Sequence, residues 1–189
     1  MTTTAQTTPS STFAAALRRL YIVRFIFALA WAGLLFLASP ATGPVVTILL
    51  IVYPLFDAAA VLWQLLRGRD APRGRGAEWA NVAVSTVVAV AVGIASAVSI
   101  PAALAIWGLW AIGSGIPQLI AALRNRRSGG QVPQMLSGGI SVLAGVAFLA
   151  QGLQGSGAIG GVGGYAVLGG IFFLVSAIRL SILLRKNAA

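Results

Sequence analysis

Apolar residues run through this chain in six long blocks, and polar residues gather mainly in the gaps between them. The blocks fall at about 20–38, 45–66, 79–99, 102–123, 134–153 and 162–184, each near the roughly 20 residues an α-helix needs to cross a hydrocarbon core about 30 Å thick. This pattern predicts an all-α polytopic membrane protein with six transmembrane helices. The gaps alternate in charge. Arg18, Arg19 and Arg24 precede the first block, and Arg67, Arg69, Arg73 and Arg75 follow the second. Arg124, Arg126 and Arg127 follow the fourth, and Arg185 and Lys186 close the sixth. The connectors near 39–44, 98–101 and 154–161 carry no Lys or Arg. Basic segments stay on the cytoplasmic side, so both termini are expected in the cytoplasm of a cell (inner) membrane. A false span would break the alternation, which supports the count of six independently of hydropathy.

The stretch 1–16, which opens MTTTAQTTPSST, is expected to be a disordered cytoplasmic N-terminus ahead of a transmembrane domain at 17–187. The first apolar block is long for a cleaved signal, and Ser39-Pro40-Ala41 is not a clean small-x-small site because its proline disfavours cleavage, so a retained helix is expected.

Composition sharpens this picture. Of 189 residues, 58% are hydrophobic and 8% charged, against roughly 25% charged in a soluble domain. Such a chain cannot cover a surface facing water. The net charge of +10 rests on 13 Lys and Arg against 3 acids. These charges cluster at the ends of apolar blocks and form no basic helix face interleaved with aromatics, so nucleic acid is not an expected partner. Anionic lipid headgroups at the cytoplasmic face are, through Arg67, Arg69, Arg73, Arg75, Arg124, Arg126 and Arg127. The chain has no Cys and no His. That removes thiolate nucleophiles, thiolate metal sites and the usual general base. No cofactor or metal is expected, and the inventory argues against an enzyme.

The short uncharged connectors pair helices one and two, three and four, and five and six into antiparallel hairpins, at about 18–69, 77–127 and 132–187. Residue types recur at matching places. Pro44 lies 57 before Pro101, Asp57 lies 57 before Ser114 and Arg67 lies 57 before Arg124. An offset of 62 then places Ser176 on Ser114 and Lys186 on Arg124. The ends of the even helices read LIVYPLFDAAAVLWQLLRGR, LWAIGSGIPQLIAALRNRR and GIFFLVSAIRLSILLRK. In these three hairpin repeats the chain resembles the HdeD family of acid-resistance membrane proteins, over roughly residues 18–187. The resemblance implies an inner-membrane protein tied to acid or envelope stress tolerance, and supplies no catalytic residues. Asp57 departs from the small residues at the equivalent places here.

Asp57 is the most informative side chain, ten residues before Arg67 and therefore about 15 Å deep. An intramembrane acid is either a protonatable transport site or a structural acid paired inside the bundle. Arg179, seven residues before Lys186, either snorkels to the headgroups or pairs with Asp57. A pair would make Asp57→Ala and Arg179→Ala less than additive. Gln64, Ser114, Gln118 and Ser176 continue a polar stripe on the even helices, read first as interhelical hydrogen bonding and second as a polar cavity. Small residues spaced by four, at Ala28 and Ala32, at Ala89, Gly93 and Ala97, and at Ser137, Ser141 and Gly145, mark close packing or contacts to a second copy or another membrane protein. Gly155-Ser-Gly-Ala-Ile-Gly160 matches a dinucleotide fingerprint formally, but no strand precedes it. Trp63 and Trp79 fit an interfacial aromatic belt. The function expected is a non-enzymatic membrane protein of HdeD type. A small-solute or proton transporter or channel using Asp57, or a membrane assembly subunit, are the alternatives.

Overall fold

A computed structural model describes residues 11–39, 43–67, 76–124 and 132–186. These form six α-helices: α1 (Ser11–Ala38), α2 (Pro44–Arg67), α3 (Gly76–Val98), α4 (Ile100–Arg124), α5 (Val132–Leu153) and α6 (Gly160–Lys186). All six are long and apolar enough to cross a membrane, and the protein is a polytopic helical membrane protein. Its outer surface is what lipid requires. Leu37, Val98 and Leu143 are 81%, 78% and 74% exposed, and exposed aliphatics recur on every helix.

The helix boundaries follow local chemistry. Pro44 opens α2, where its missing N–H has no helical partner to lose. Ser99 alone separates α3 from α4, and its hydroxyl accepts from the Ala102 amide at 3.2 Å, capping the new helix. At the end of α5, Gly155 has φ 77°, the Ser156 amide donates to the Gln151 carbonyl and the Gly155 amide to the Gly152 carbonyl. That is a Schellman closure, which requires the left-handed conformation that glycine adopts without strain. The glycine run at 155–160 is therefore a helix stop and turn.

Each helix packs against its neighbours in order and α6 closes back onto α1, so the six form a ring. The interfaces alternate. Those between α4 and α5, α1 and α6, and α2 and α3 are extensive, while those between α3 and α4, α1 and α2, and α5 and α6 are slighter. Helices joined by the short uncharged connectors, expected as antiparallel hairpins, do touch, but not most extensively. Instead each helix packs most closely on the neighbour across a basic gap or across the termini.

Glycine explains the closest of these pairs. A Cβ on Gly145 would lie 2.7 Å from the Gly108 carbonyl oxygen, one on Gly138 would lie 2.8 Å from the Leu119 amide, and one on Gly152 would lie 2.5 Å from the Pro101 carbonyl oxygen. Gly138, Gly145 and Gly152 recur every seventh residue along α5, facing Gly115 and Gly108 on α4. Backbones touch along this seam, as helices do where no hydrophobic force drives them together in lipid. Of the stripe expected on α5, Ser141 and Gly145 lie in this seam, Ser141 against Gly115, while Gly138 takes the place of Ser137. Ala28, Ala32 and Ala89 are buried as expected, whereas Ala97 is exposed.

Two further differences concern α1. The helix begins at Ser11, within the stretch read as disordered, and Arg24 lies inside the span Ala14–Ala38 instead of flanking it.

The core lies toward the uncharged end, where Trp31, Leu35, Leu50, Val92, Leu104, Trp107 and Val162 are each at most 2% exposed. Trp31 stacks on Trp107 at 5.7 Å, and Tyr53 lies against both. Pro54 supplies no amide to the α2 ladder, and the Leu49 carbonyl nearby accepts the Trp31 Nε1–H at 2.7 Å.

Gly145→Ala should lower the stability of the detergent-solubilised protein by about 1–3 kcal/mol, because its Cβ meets backbone that cannot rotate away. Gly113→Ala, with nothing within 4 Å of the new Cβ, should be neutral or stabilising by up to about 1 kcal/mol. Equal thermal midpoints for the two variants would contradict the seam.

Candidate functional site

The half of the ring nearest the basic connectors is not filled. It encloses a cavity of about 610 Å³ lined by all six helices. Tyr21 and Arg24 come from the first half of α1, Asp57 and Gln64 from the second half of α2, and Glu78 and Asn81 from the start of α3. Ser114 and Gln118 of α4, Ser137 and Ser141 of α5, and Tyr165 and Ser176 of α6 complete its polar wall. Tyr53 and Trp110 line it too and belong to the aromatic cluster that fills the other half. The cavity therefore ends on a packed aromatic plug.

Asp57 organises its wall. One carboxylate oxygen accepts from Arg24 Nη2 in an ion pair. The other accepts from Asn81 Nδ2 at 2.9 Å and Ser85 Oγ at 3.1 Å. The two charged side chains are 12% and 16% exposed. Arg24 is also held over the Phe173 ring, its Cζ 4.2 Å from the centroid. One acid thus ties α2 to α1 and α3, and its cation ties α1 to α6. The pair is geometrically natural: Arg24 lies ten residues into its span and Asp57 ten before the end of α2, so both sit about 15 Å deep.

Arg179 takes no part. It is exposed on α6, and of the two readings offered for it the pairing with Asp57 is not formed, since Asp57 pairs with Arg24. Depth along an axis placed Arg179 and Asp57 within a turn of each other, but the azimuth of Arg179 turns it outward.

The polar stripe expected on the even helices does face inward, since Asp57, Gln64, Ser114, Gln118 and Ser176 all line the cavity. Its members divide between bonds across helices, as at Asp57, and bonds within their own helix. Ser114 donates to the Ala111 carbonyl and Ser176 to the Phe172 carbonyl, both within their own helices. Their oxygens keep lone pairs toward other partners. Across helices, Ser141 and Tyr165 share a bond of 3.0 Å between α5 and α6, and Gln64 lines the cavity together with Tyr21.

Arg67 is exposed at the end of α2, its Cζ 5.5 Å from the Trp63 ring centroid. Arg124 is the last residue of α4. Arg69, Arg73, Arg75, Arg126 and Arg127 lie outside the described residues.

Arg24, Asn81, Ser85, Tyr53 and Tyr165 were not singled out in the sequence. A signal for three of them was present. The offset of 57 that takes Asp57 to Ser114 also takes Arg24 to Asn81, Tyr21 to Glu78 and Tyr53 to Trp110, and every one of these lines the cavity.

No family model matches the chain, and neither a curated protein nor a solved structure proves significantly similar to it.

Arg24→Ala and Asp57→Ala should each cost about 3 kcal/mol by leaving a desolvated charge unpaired, and the double variant should cost clearly less than the sum. Asp57→Ala combined with Arg179→Ala should be additive within about 0.5 kcal/mol. Unfolding midpoints in detergent decide both, and coupling to Arg179 in place of Arg24 would refute the pairing.

Proposed function

We propose that this protein is a non-enzymatic, HdeD-like protein of the cell (inner) membrane that binds a small polar solute in its cavity from the cytoplasmic side. Orientation follows from the positive-inside rule, since the cavity lies at the end that carries the arginines. Anionic lipid headgroups are the natural neighbours of those arginines. A role in acid or envelope stress tolerance is carried by the family resemblance alone.

The observation that supports solute binding is the asymmetry of the bundle. A polar cavity of about 610 Å³ occupies one half, and buried Trp31, Trp107, Leu35 and Leu104 fill the other. Concave sites of roughly 300–1,000 Å³ with a few converging polar groups are the usual form of small-molecule sites. A site near mid-membrane that is closed on one side fits a carrier better than an open channel. Asp57 contributes by holding the wall in place, since its oxygens already accept three hydrogen bonds. The assembly reading is weaker because the closest glycine contacts are consumed inside the ring, between α4 and α5.

The natural absence of cysteine makes this testable without a background. Ser176→Cys should react with a membrane-impermeant thiol reagent from the cytoplasmic face and not from the outer face, while Leu104→Cys in the plug reacts from neither. Equal labelling of Ser176→Cys from both faces would mean a channel. A folded variant that resists labelling from either face would mean a dry assembly protein.

A further inference from the structure

The charges of this chain are distributed unevenly, and the cavity carries the opposite balance from the rest. The chain holds 13 basic residues and 3 acidic ones. Two of the three acids, Asp57 and Glu78, line the cavity, and Arg24 is its one basic lining residue among those described. Arg24 is neutralised by Asp57 and capped on one face by Phe173. Glu78 remains, exposed at the rim near the start of α3. Among the described residues the formal charge of the lining is therefore negative, in a protein of net charge +10.

The rest of the wall suits a cation that is also partly apolar. Tyr21, Tyr53, Trp110, Tyr165 and Phe172 place aromatic groups around the space, and aromatic faces attract alkylammonium groups through their quadrupoles. Low-dielectric walls strengthen the effect of the remaining carboxylate and of those ring faces.

We infer that the cavity selects small organic monocations of the alkylammonium class. This rests on the solute-binding reading above, and its test separates the two.

Ser114→Cys, in purified full-length protein in lipid nanodiscs, is treated with the cationic reagent 2-(trimethylammonium)ethyl methanethiosulfonate or its anionic 2-sulfonatoethyl counterpart. Rates are divided by those for a free thiol in solution. The cationic reagent should be preferred by about tenfold, through the combined carboxylate and ring-face attraction. Adding Glu78→Gln, a rim substitution away from the Arg24–Asp57 pair, should reduce that preference at least twofold. Choline should protect Ser114→Cys, while its uncharged isostere 3,3-dimethyl-1-butanol should not. A preference for the anion, a preference untouched by Glu78→Gln, or equal protection by the isostere would each overturn the cation assignment while leaving a solute cavity in place. Failure of both reagents to react would instead remove the cavity reading, and the inference with it.

Discussion

An aspartate about 15 Å inside a membrane-crossing helix is tolerable only if its charge is answered there. In this protein Asp57 is answered by Arg24 from α1 and by Asn81 and Ser85 from α3. A lone acid or arginine at that depth costs about 2.5–3.5 kcal/mol on insertion scales, so neither residue has a reason to be there without the other. Because the partners sit on separate helices, satisfying the carboxylate fixes how α1, α2 and α3 stand around it. Phe173 extends the same constraint to α6 by accepting the Arg24 guanidinium on its face. This polar node stands at the wall of the cavity, and the hydrophobic core begins on its far side.

Packing elsewhere in the ring is uneven for a related reason. Lipid gives apolar helices no incentive to associate, so closeness must come from backbone contact and shape. The α4–α5 seam achieves it with glycines every seventh residue on α5, which keeps one line of contact along the full pair. The α1–α6 pair is closed partly by Gly163 against Phe36 and Gly170 against Ala28. The three slighter interfaces alternate with the extensive ones around the ring. Close pairs separated by looser joints leave room at the centre, and polar side chains spaced along the inner faces of the helices line it.

How much of this was legible from the residues follows from what each signal measures. Block length and arginine position report crossings, so the six spans and the end that carries the charge were readable. Helical spacing reports a shared face, so Asp57, Gln64, Ser114, Gln118 and Ser176 were correctly gathered onto one inner stripe. Depth along a helix is only an axial coordinate. It matched Asp57 with Arg179 as well as with Arg24, and the choice lay in which helix faces which. Arg24 was masked by its neighbours Arg18 and Arg19, which made it look like the last of a flanking group. The glycine seam was masked by richness, because 23 glycines offer many competing spacings. Only contact distances separate Gly138, Gly145 and Gly152, whose added Cβ atoms would meet the α4 backbone, from Gly113 and Gly139, which face open space.

The two charge requirements of such a protein pull in opposite directions at the same end. Topology asks for arginines at the cytoplasmic margin, and their field extends about 8–10 Å through physiological salt. That field would fill an unprotected cavity with anions. Arg67 points away into the Trp63 side of α2 and is exposed, whereas Glu78 stands at the rim and Asp57 cancels the basic charge in the wall. Inside, the described lining presents Glu78 and the ring faces, and low-dielectric walls screen less than water does. Placing two of only three acids around one space is what allows a strongly basic chain to hold a site of the opposite character.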